Sequence, residues 1–313
     1  GGGSGGGDDG DAALRGYYDD GAYDDGRSAR TQIMLLGFHH SGTSLLAKVL
    51  LHMGVWGGER HDYHLMAGDD PPKWWERKDV INLNLMLFRP SADTERDKWY
   101  AGHNYSAASV SPLLHRLFNY RAAKVIRRLD AGPAASHSNV AWMTKEPRMC
   151  VLLHDFWRPL LQPKSALCVI LYRDPYMVTQ ALFRHWPKVN KRFREEEWLL
   201  LWQHYHAAAL RGCRHLPTVL IAHEQLVRAP HAAIARLHTV LRHARVPSLR
   251  RLSTATVDSI FRAQFYKPTP NYGALNSIQF SLLHALDVGD VAAATTIATT
   301  AATYCCAPSM RAT

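Results

Sequence analysis

The sequence predicts an α/β fold of three layers, in which helices flank a mostly parallel central sheet. Short continuous apolar runs alternate with amphipathic stretches, and this alternation is typical of parallel strands that are buried on both faces. A glycine-bearing loop follows the first apolar run, as in P-loop-like folds. Apolar residues make up 47% of the chain and charged residues 20%, which excludes collagen-like, disulfide-rich and wholly disordered classes.

Two terminal segments are predicted to lie outside the folded domain. Residues 1–30 are rich in glycine and aspartate and cannot bury enough apolar surface to fold, so we expect a disordered tail. Residues 286–313 are rich in alanine and threonine and are predicted to be a low-complexity tail. The domain is therefore expected to span residues 31–285, which is enough for one α/β core.

The apolar patterns predict four strands and seven helices in alternating order. Because ligands bind at the carboxyl ends of parallel strands, residues that directly follow the strands are the first candidates for a site. The predicted strands are Gln32–Gly37, Val140–Thr144, Ala166–Tyr172 and Thr218–Ala222. The predicted helices are Leu45–Met53, Trp74–Phe88, Leu113–Leu129, Met149–Leu160, the stretch from Pro175 to about His185, Glu195–Arg211 and Pro230–Ala244.

The charge distribution favours an anionic ligand. The net charge is −4 through Arg30 and +14 over the remainder, which suits phosphorylated, sulfated or acidic polymeric ligands. The five cysteines show no CxxC spacing, so no zinc site is expected, and Cys150 and Cys168 are predicted to be buried thiols. No apolar stretch suffices for a membrane span, and no signal peptide or nucleic-acid-binding signature is found.

The loop between the first strand and helix has the frame of a phosphate-binding loop. Its glycines let successive backbone N–H groups point at an anion, and the following helix adds its dipole. Thr43 stands where nucleotide triphosphatases place a lysine, which argues against ATP or GTP hydrolysis. The predicted ligand-binding residues of this loop are His39, His40, Ser41, Gly42, Thr43 and Ser44.

Five segments, in order, resemble the sulfotransferases that use 3′-phosphoadenosine 5′-phosphosulfate (PAPS). The resemblance runs from about Thr31 to Leu241. It comprises the 5′-phosphosulfate loop at Gly37–Leu45, Trp75-Glu76 with Asp79, Lys145-Glu146-Pro147-Arg148, the 3′-phosphate strand Val169–Pro175 and the late strand Val219–Pro230.

The resemblance implies PAPS as co-substrate, no metal, and three catalytic residues, which are His40, Lys145 and Glu76. Lys145 is expected to contact the transferred group, and Glu76 to act as the base, with Glu146, Glu59 and His64 as alternatives. Trp74 and Trp75 are either core residues or a platform for a sugar or adenine.

Two positions depart from the family pattern. His40 occupies the place of a cationic arginine or lysine, and we expect a bound anion to raise its pKa above the usual 6.5 so that it acts as a cation. The resemblance also implies that Arg173 binds the 3′-phosphate. A serine usually assists eight residues later, where this chain has Ala181. Three alternatives stay open: Thr179 substitutes, Gln180 substitutes, or the bond is absent.

The predicted function is transfer of a sulfuryl group from PAPS to a hydroxyl or amine acceptor, with a carbohydrate or another macromolecule favoured. The compartment stays open: the resemblance favours the Golgi lumen, with any membrane anchor upstream of this chain, and bacterial members of the family are the alternative. Two alternatives stay open: a P-loop kinase-like enzyme, and a degenerate sulfotransferase fold that binds nucleotide or glycan without catalysis.

Overall fold

The computed structural model describes residues 30–65, 72–88, 105, 107–133, 140–185, 194–261 and 272–305. Four parallel strands form its central sheet in the order β2-β1-β3-β4, with helices on both faces, which confirms the predicted three-layer, P-loop-like α/β fold. The strands are β1 (Gln32–Leu36), β2 (Trp142–Lys145), β3 (Ala166–Tyr172) and β4 (Thr218–Ala222).

Eleven α-helices are seen in the described part of the chain. They are α1 (Thr43–His52), α2 (Lys78–Phe88), α3 (Pro112–Ala131), α4 (Met149–Leu152), α5 (Pro175–His185), α6 (Glu195–Gly212), α7 (His223–Arg228), α8 (Pro230–His243), α9 (Thr254–Phe261), α10 (Ser277–Asp287) and α11 (Val291–Cys305). None of these helices combines the length and apolarity that crossing a bilayer requires.

Each central strand contributes to two hydrophobic cores. All residues of β1, β2 and β3 are buried, because helices cover both faces of the sheet. Side chains alternate along β1, so Met34 and Leu36 join the core of α2, α3, α6 and α10, whereas Ile33 and Leu35 join the core of α1, α8 and α9. The continuous apolar runs of the sequence are explained by this double burial.

The strand register aligns the carboxyl ends of all four strands at one edge of the sheet. Leu35 pairs with Lys145, Leu36 with Ile170, and the last residues of β3 and β4 pair with each other. The residues that follow the strands therefore lie along a single edge, as the parallel topology predicts.

The helix predicted over Trp74–Phe88 starts later, at Lys78. Arg77 instead forms an antiparallel bridge with Tyr63, which keeps the preceding residues extended. The Asp79 carboxylate accepts the Val80 amide at 2.9 Å in the first turn of α2. The pairing of Arg77 with Tyr63 thus prevents a helix at Trp74 and Trp75, although the apolar periodicity continues through both.

The Ala/Thr-rich segment differs from the low-complexity tail that its composition predicted. Residues Val291–Cys305 form α11, which packs against α6, and Ala294 and Ala298 are buried in the core. Small side chains let the two helices approach closely, and threonine hydroxyls such as that of Thr295 bond carbonyls one turn back. Residues 1–29 and 306–313 lie outside the described residues.

A disulfide joins Cys168 of β3 to Cys213 at the end of α6, so the prediction of a buried Cys168 thiol is wrong. Cys150 is a free buried thiol, as predicted. The two bonded cysteines are 45 residues apart, and the fold brings their Cα atoms to 6.0 Å. Sequence spacing gave no sign of this pairing, because it depends on how α6 packs against the sheet.

We predict that the double substitution Cys168→Ala/Cys213→Ala lowers the free energy of unfolding by about 3 kcal/mol, since the crosslink closes a 45-residue loop. Urea denaturation of the oxidised parent and the variant measures the difference, and Cys150→Ala is the matched control. In the full chain, denatured without reductant, the disulfide leaves three of the five cysteines open to alkylation, and alkylation of all five would contradict it.

Candidate functional site

The loop between β1 and α1 depends on two glycines for its shape. Gly42 has φ +94°, and a Cβ there would lie 2.4 Å from Cδ2 of the His223 ring. A Cβ on Gly37 would lie 2.5 Å from the Leu171 carbonyl oxygen, so this residue permits close approach to β3. His40, at φ 60°, also adopts the left-handed conformation. The loop is therefore tightly wound against the ends of β3 and β4.

The loop presents unused polar groups at the start of α1. The first amides of a helix have no partner within it, and its dipole concentrates positive potential there. Gly42 caps α1 without any side-chain hydrogen bond. The hydroxyl of Ser41 is fully buried and has no hydrogen-bond partner among the described residues. These features suit an anion such as a phosphate group.

Arg173 follows β3 and contacts the same loop. Its Nη1 donates to the His40 carbonyl oxygen at 3.2 Å, and its own carbonyl accepts from Trp202 Nε1 at 3.0 Å. The side chain is 8% exposed, yet no carboxylate of the described residues lies within 4 Å of the guanidinium, and Nε has no partner there. Burial lowers the pKa of Arg173, and the nearby carboxylates of Glu224 and Asp174 oppose this shift without forming an ion pair with the guanidinium. An unpaired buried guanidinium is costly unless an anion binds it.

Lys145, at the end of β2, approaches the other end of the loop. Its Nζ lies 2.6 Å from Glu76 Oε1 and donates to Ser44 Oγ at 3.1 Å. It also donates to the Trp74 carbonyl oxygen at 3.0 Å, and the side chain is only 3% exposed. The fold thus brings together Lys145, Glu76 and Ser44, which lie far apart in the sequence and were predicted to share one site.

Arg77, which sequence analysis missed, anchors the segment that directly follows Glu76. Its guanidinium donates to both oxygens of Asp79, at 3.0 and 2.7 Å, and to Asp62 at 3.1 Å. Burial acts to lower the Arg77 pKa, but the bonds to Asp79 outweigh it and the pKa is raised. The Glu76 carbonyl also accepts the His64 amide at 2.8 Å. Asp79 is therefore a structural partner within this motif.

The alternative bases have other contacts. Glu146 is fully buried, pairs with Arg148 and accepts from Asn84, whose amide oxygen accepts from Trp157. Burial raises the pKa of Glu146, and Arg148 opposes this shift. Glu59 caps a surface turn, and the exposed His64 contributes the backbone bond to Glu76. Of the four carboxylate and histidine candidates, Glu76 is the one that contacts Lys145.

His40 does not have the surroundings of a cation in this structure. Its ring stacks on His185 at 5.1 Å, and burial followed by His185 and Arg173 lowers its pKa to about 3. Burial also lowers the pKa of His39, which packs edge-on against Phe38. Both histidines are therefore neutral at pH 7 here, and His40 would carry charge only after an anion raises its pKa.

Thr179 does not have the placement predicted for a ligand of the nucleotide. The residue is fully buried in α5, and its hydroxyl donates to the Pro175 carbonyl oxygen at 2.9 Å. Ala181 is buried in the same helix. Helix α5 thus uses the threonine hydroxyl internally, as threonine often does in helices.

His223 is a second residue that sequence analysis missed. It directly follows β4, is buried, and its ring packs on Gly42 of the loop. Burial, together with Arg173, lowers its pKa to about 3. Its position after a strand, at the edge that carries the other candidates, was the available signal. Within the described ranges, no group of three or more histidine, cysteine or acidic residues could hold a metal ion.

No protein-family model matches the chain, and no curated protein matches it. Similar solved structures include the sulfotransferase domain of the Synechococcus olefin synthase, at 14% identity and a TM-score of 0.42, over 88% of this chain and 96% of that one. The sulfotransferase domain of the curacin biosynthetic pathway is 14% identical, with a TM-score of 0.45, over 88% and 90%. The sulfotransferase STF9 of Mycobacterium avium is 13% identical, with a TM-score of 0.37, over 80% and 71%.

We predict that Gly42→Ala destabilises the fold by about 1–3 kcal/mol more than Gly289→Ala. Both glycines have positive φ, at +94° and +74°, but only a Cβ on Gly42 meets a neighbour, whereas nothing lies within 4 Å of one on Gly289. Thermal and urea unfolding measure both variants. His223→Ala in the Gly42→Ala background should recover most of the difference, and equal losses at the two glycines would show that the ring contact is unimportant.

Proposed function

We propose that the chain is a sulfotransferase that transfers a sulfuryl group from PAPS to a hydroxyl or amine. The observation that carries this proposal is a buried arginine, Arg173, with no carboxylate within 4 Å among the described residues, bonded to a phosphate-type loop. Lys145 approaches the opposite end of that loop. A ligand with two separated anionic groups satisfies both cations, and the absence of a loop lysine at Thr43 disfavours a kinase.

The donor would lie along the carboxyl edge of the sheet. Loop amides and the Ser41 hydroxyl would hold the 5′-phosphate, and Arg173 would bind the 3′-phosphate through its unused Nε–H. Because β3 and β4 lie on one side of β1 and β2 on the other, this orientation directs the sulfuryl group towards Lys145. The donor is a co-substrate, and the proposed chemistry requires no metal.

The chemistry follows from the contacts of Lys145. The acceptor oxygen or nitrogen attacks sulfur in line, the bond between sulfur and the bridging oxygen breaks, and the nucleotide phosphate leaves with the electron pair. Lys145 would stabilise the negative charge on the transferred group and on the bridging oxygen. Glu76, 2.6 Å from Lys145, would accept the proton that the acceptor loses. This pair favours an enzyme over a degenerate, purely binding fold.

We further propose a carbohydrate or another macromolecule as acceptor and the Golgi lumen as compartment. The family resemblance and the net charge of +14 after Arg30 support the acceptor class. The disulfide between Cys168 and Cys213 supports an oxidising compartment, because such bonds are rare in reducing ones.

We predict that 3′-phosphoadenosine 5′-phosphate, the donor's product, binds the chain and that Arg173→Ala weakens binding by about 100-fold. Arg173→Ala removes the charge and the N–H donors that would bind the 3′-phosphate. Arg211→Ala, on the exposed end of α6, is the control and should leave the affinity unchanged. Isothermal titration calorimetry measures all three proteins. Absence of binding at millimolar nucleotide rules out the proposed function, and magnesium-dependent ATP turnover would favour the kinase. Binding without transfer to any acceptor would favour the degenerate fold.

We predict that nucleotide binding takes up a proton at His40. Its pKa is about 3 before binding, and an anion beside it raises that pKa, so affinity should increase as the pH falls from the bound-state pKa towards 3. Calorimetry in buffers of different ionisation enthalpy measures the proton uptake. His40→Lys should bind the nucleotide without this uptake. Subtracting the proton uptake of the variant from that of the parent chain removes the contribution of the nucleotide's own titration. Equal uptake in both proteins would contradict the prediction.

A further inference from the structure

A cavity of about 400 Å³ lies beside α1, next to the site described above. Its volume falls in the range of small-molecule pockets. The residues that line it include Lys48, Leu51, His52, Arg60, Tyr63 and Trp75.

The cavity begins one helical turn from the proposed reacting groups. Ser44 and Lys48 are four residues apart on α1 and so lie on the same face of the helix. Ser44 bonds Lys145, and Trp75 directly precedes Glu76. The wall of the cavity therefore includes residues that neighbour Ser44 and Glu76 in the chain.

The cavity lies on the β2 side of the sheet. Its wall from Gly58 to Tyr63 follows Trp56, and Trp56 pairs with Trp142 at the outer edge of β2. Arg173 and His223 follow β3 and β4, on the opposite side of β1. The proposed donor would occupy the region between the loop and Arg173, so the cavity stays available to the acceptor.

The lining combines flat aromatic rings with positive charge. The rings of Tyr63 and Trp75 meet edge to face at 5.5 Å, and such faces pack well against the C–H groups of a sugar ring. The Tyr63 hydroxyl is buried and has no hydrogen-bond partner in the described part of the chain. Lys48, His52 and Arg60 supply cationic or protonatable nitrogens. None of the lining residues is acidic, although the carboxylates of Asp62 and Glu59 act on Tyr63 from the adjoining turn.

The backbone holds Trp75 in a costly conformation. Trp75 has φ +54°, which is rare for a bulky residue, and the carbonyl before it is fixed by bonds from Ser44 at 3.2 Å and Lys145 at 3.0 Å. Such strain persists only where surrounding contacts impose it, and it concentrates at ligand sites. The conformation directs the ring into the cavity and leaves Glu76 at Lys145.

We propose that this cavity is the acceptor subsite and that it binds a sugar residue carrying a carboxylate or sulfate group. The inference rests on the proposed function and adds to it the position and the charge of the acceptor. The anionic substituent would lie near Lys48 and Arg60, with the sugar ring on Trp75, and the neighbouring sugar would present its hydroxyl or amine to Glu76.

The test compares acidic and neutral forms of the same acceptors. A panel of hexuronate-containing oligosaccharides and their carboxyl-reduced counterparts is incubated with PAPS, and initial rates give KM and kcat. We expect carboxyl reduction to raise KM about tenfold, and Lys48→Glu to raise KM for the acidic form by a similar factor. Arg60→Gln is the second variant. Lys124→Glu, on the exposed face of α3, is the matched charge control and should change neither constant.

Two readouts separate the failure of this inference from failure of the proposed function. The affinity for 3′-phosphoadenosine 5′-phosphate should stay within about twofold in every variant, which also shows that each is folded. Loss of nucleotide binding by the parent chain would overturn the proposed function itself. If nucleotide binds, the acceptor inference is overturned by equal KM for acidic and reduced forms, by an unchanged KM in Lys48→Glu, or by failure to sulfate any acidic oligosaccharide.

Discussion

The buried guanidinium of Arg173 is the constraint on which the site depends. Removing an arginine from water costs several kcal/mol unless a negative group and hydrogen bonds compensate. Here a carbonyl oxygen of the loop, that of His40, accepts one bond, and the carboxylates of Glu224 and Asp174 act on the guanidinium only from beyond 4 Å. The fold keeps this charge in place because Trp202 bonds the Arg173 backbone and both cores enclose β3. A structure that retains such a group is more stable with an anion bound.

The order of the strands determines where the two cations of the site lie relative to the loop. With β1 in the middle, cations at the ends of β3 and β2 lie on opposite sides of the same loop. Arg173 is bonded to the first half of the loop and Lys145 to its last residue, so the two contacts define an axis across the carboxyl edge. The proposed bis-anionic donor would lie along this axis, and the cavity lined by Lys48, Tyr63 and Trp75 lies at its Lys145 end.

Sequence patterns predicted what depends on local chemistry and missed what depends on packing. Apolar runs predicted all four strands, and the residues after them, including Lys145 and Arg173, lie at one edge because parallel register requires it. The disulfide of Cys168 could not be predicted, since its partner approaches only through the packing of α6 on the sheet. Helix α11 was not predicted, because a segment rich in alanine and threonine can form either a close-packed helix or an unstructured tail. The bond between the Thr179 hydroxyl and its own helix could not be predicted either, because a threonine hydroxyl can equally well face a ligand.

The histidine at position 40 can be understood as a consequence of the charge around it. Burial and the charges of Arg173 and Lys145 already disfavour a proton on this ring. A lysine or arginine at the same place would add a permanent third charge between those two cations and would raise the cost of the folded state before any ligand binds. An imidazole avoids that cost by remaining neutral and can accept a proton when a phosphate approaches. On the proposed function, the loop would gain its positive charge only together with the bound anion, and the affinity for the donor would then depend on pH.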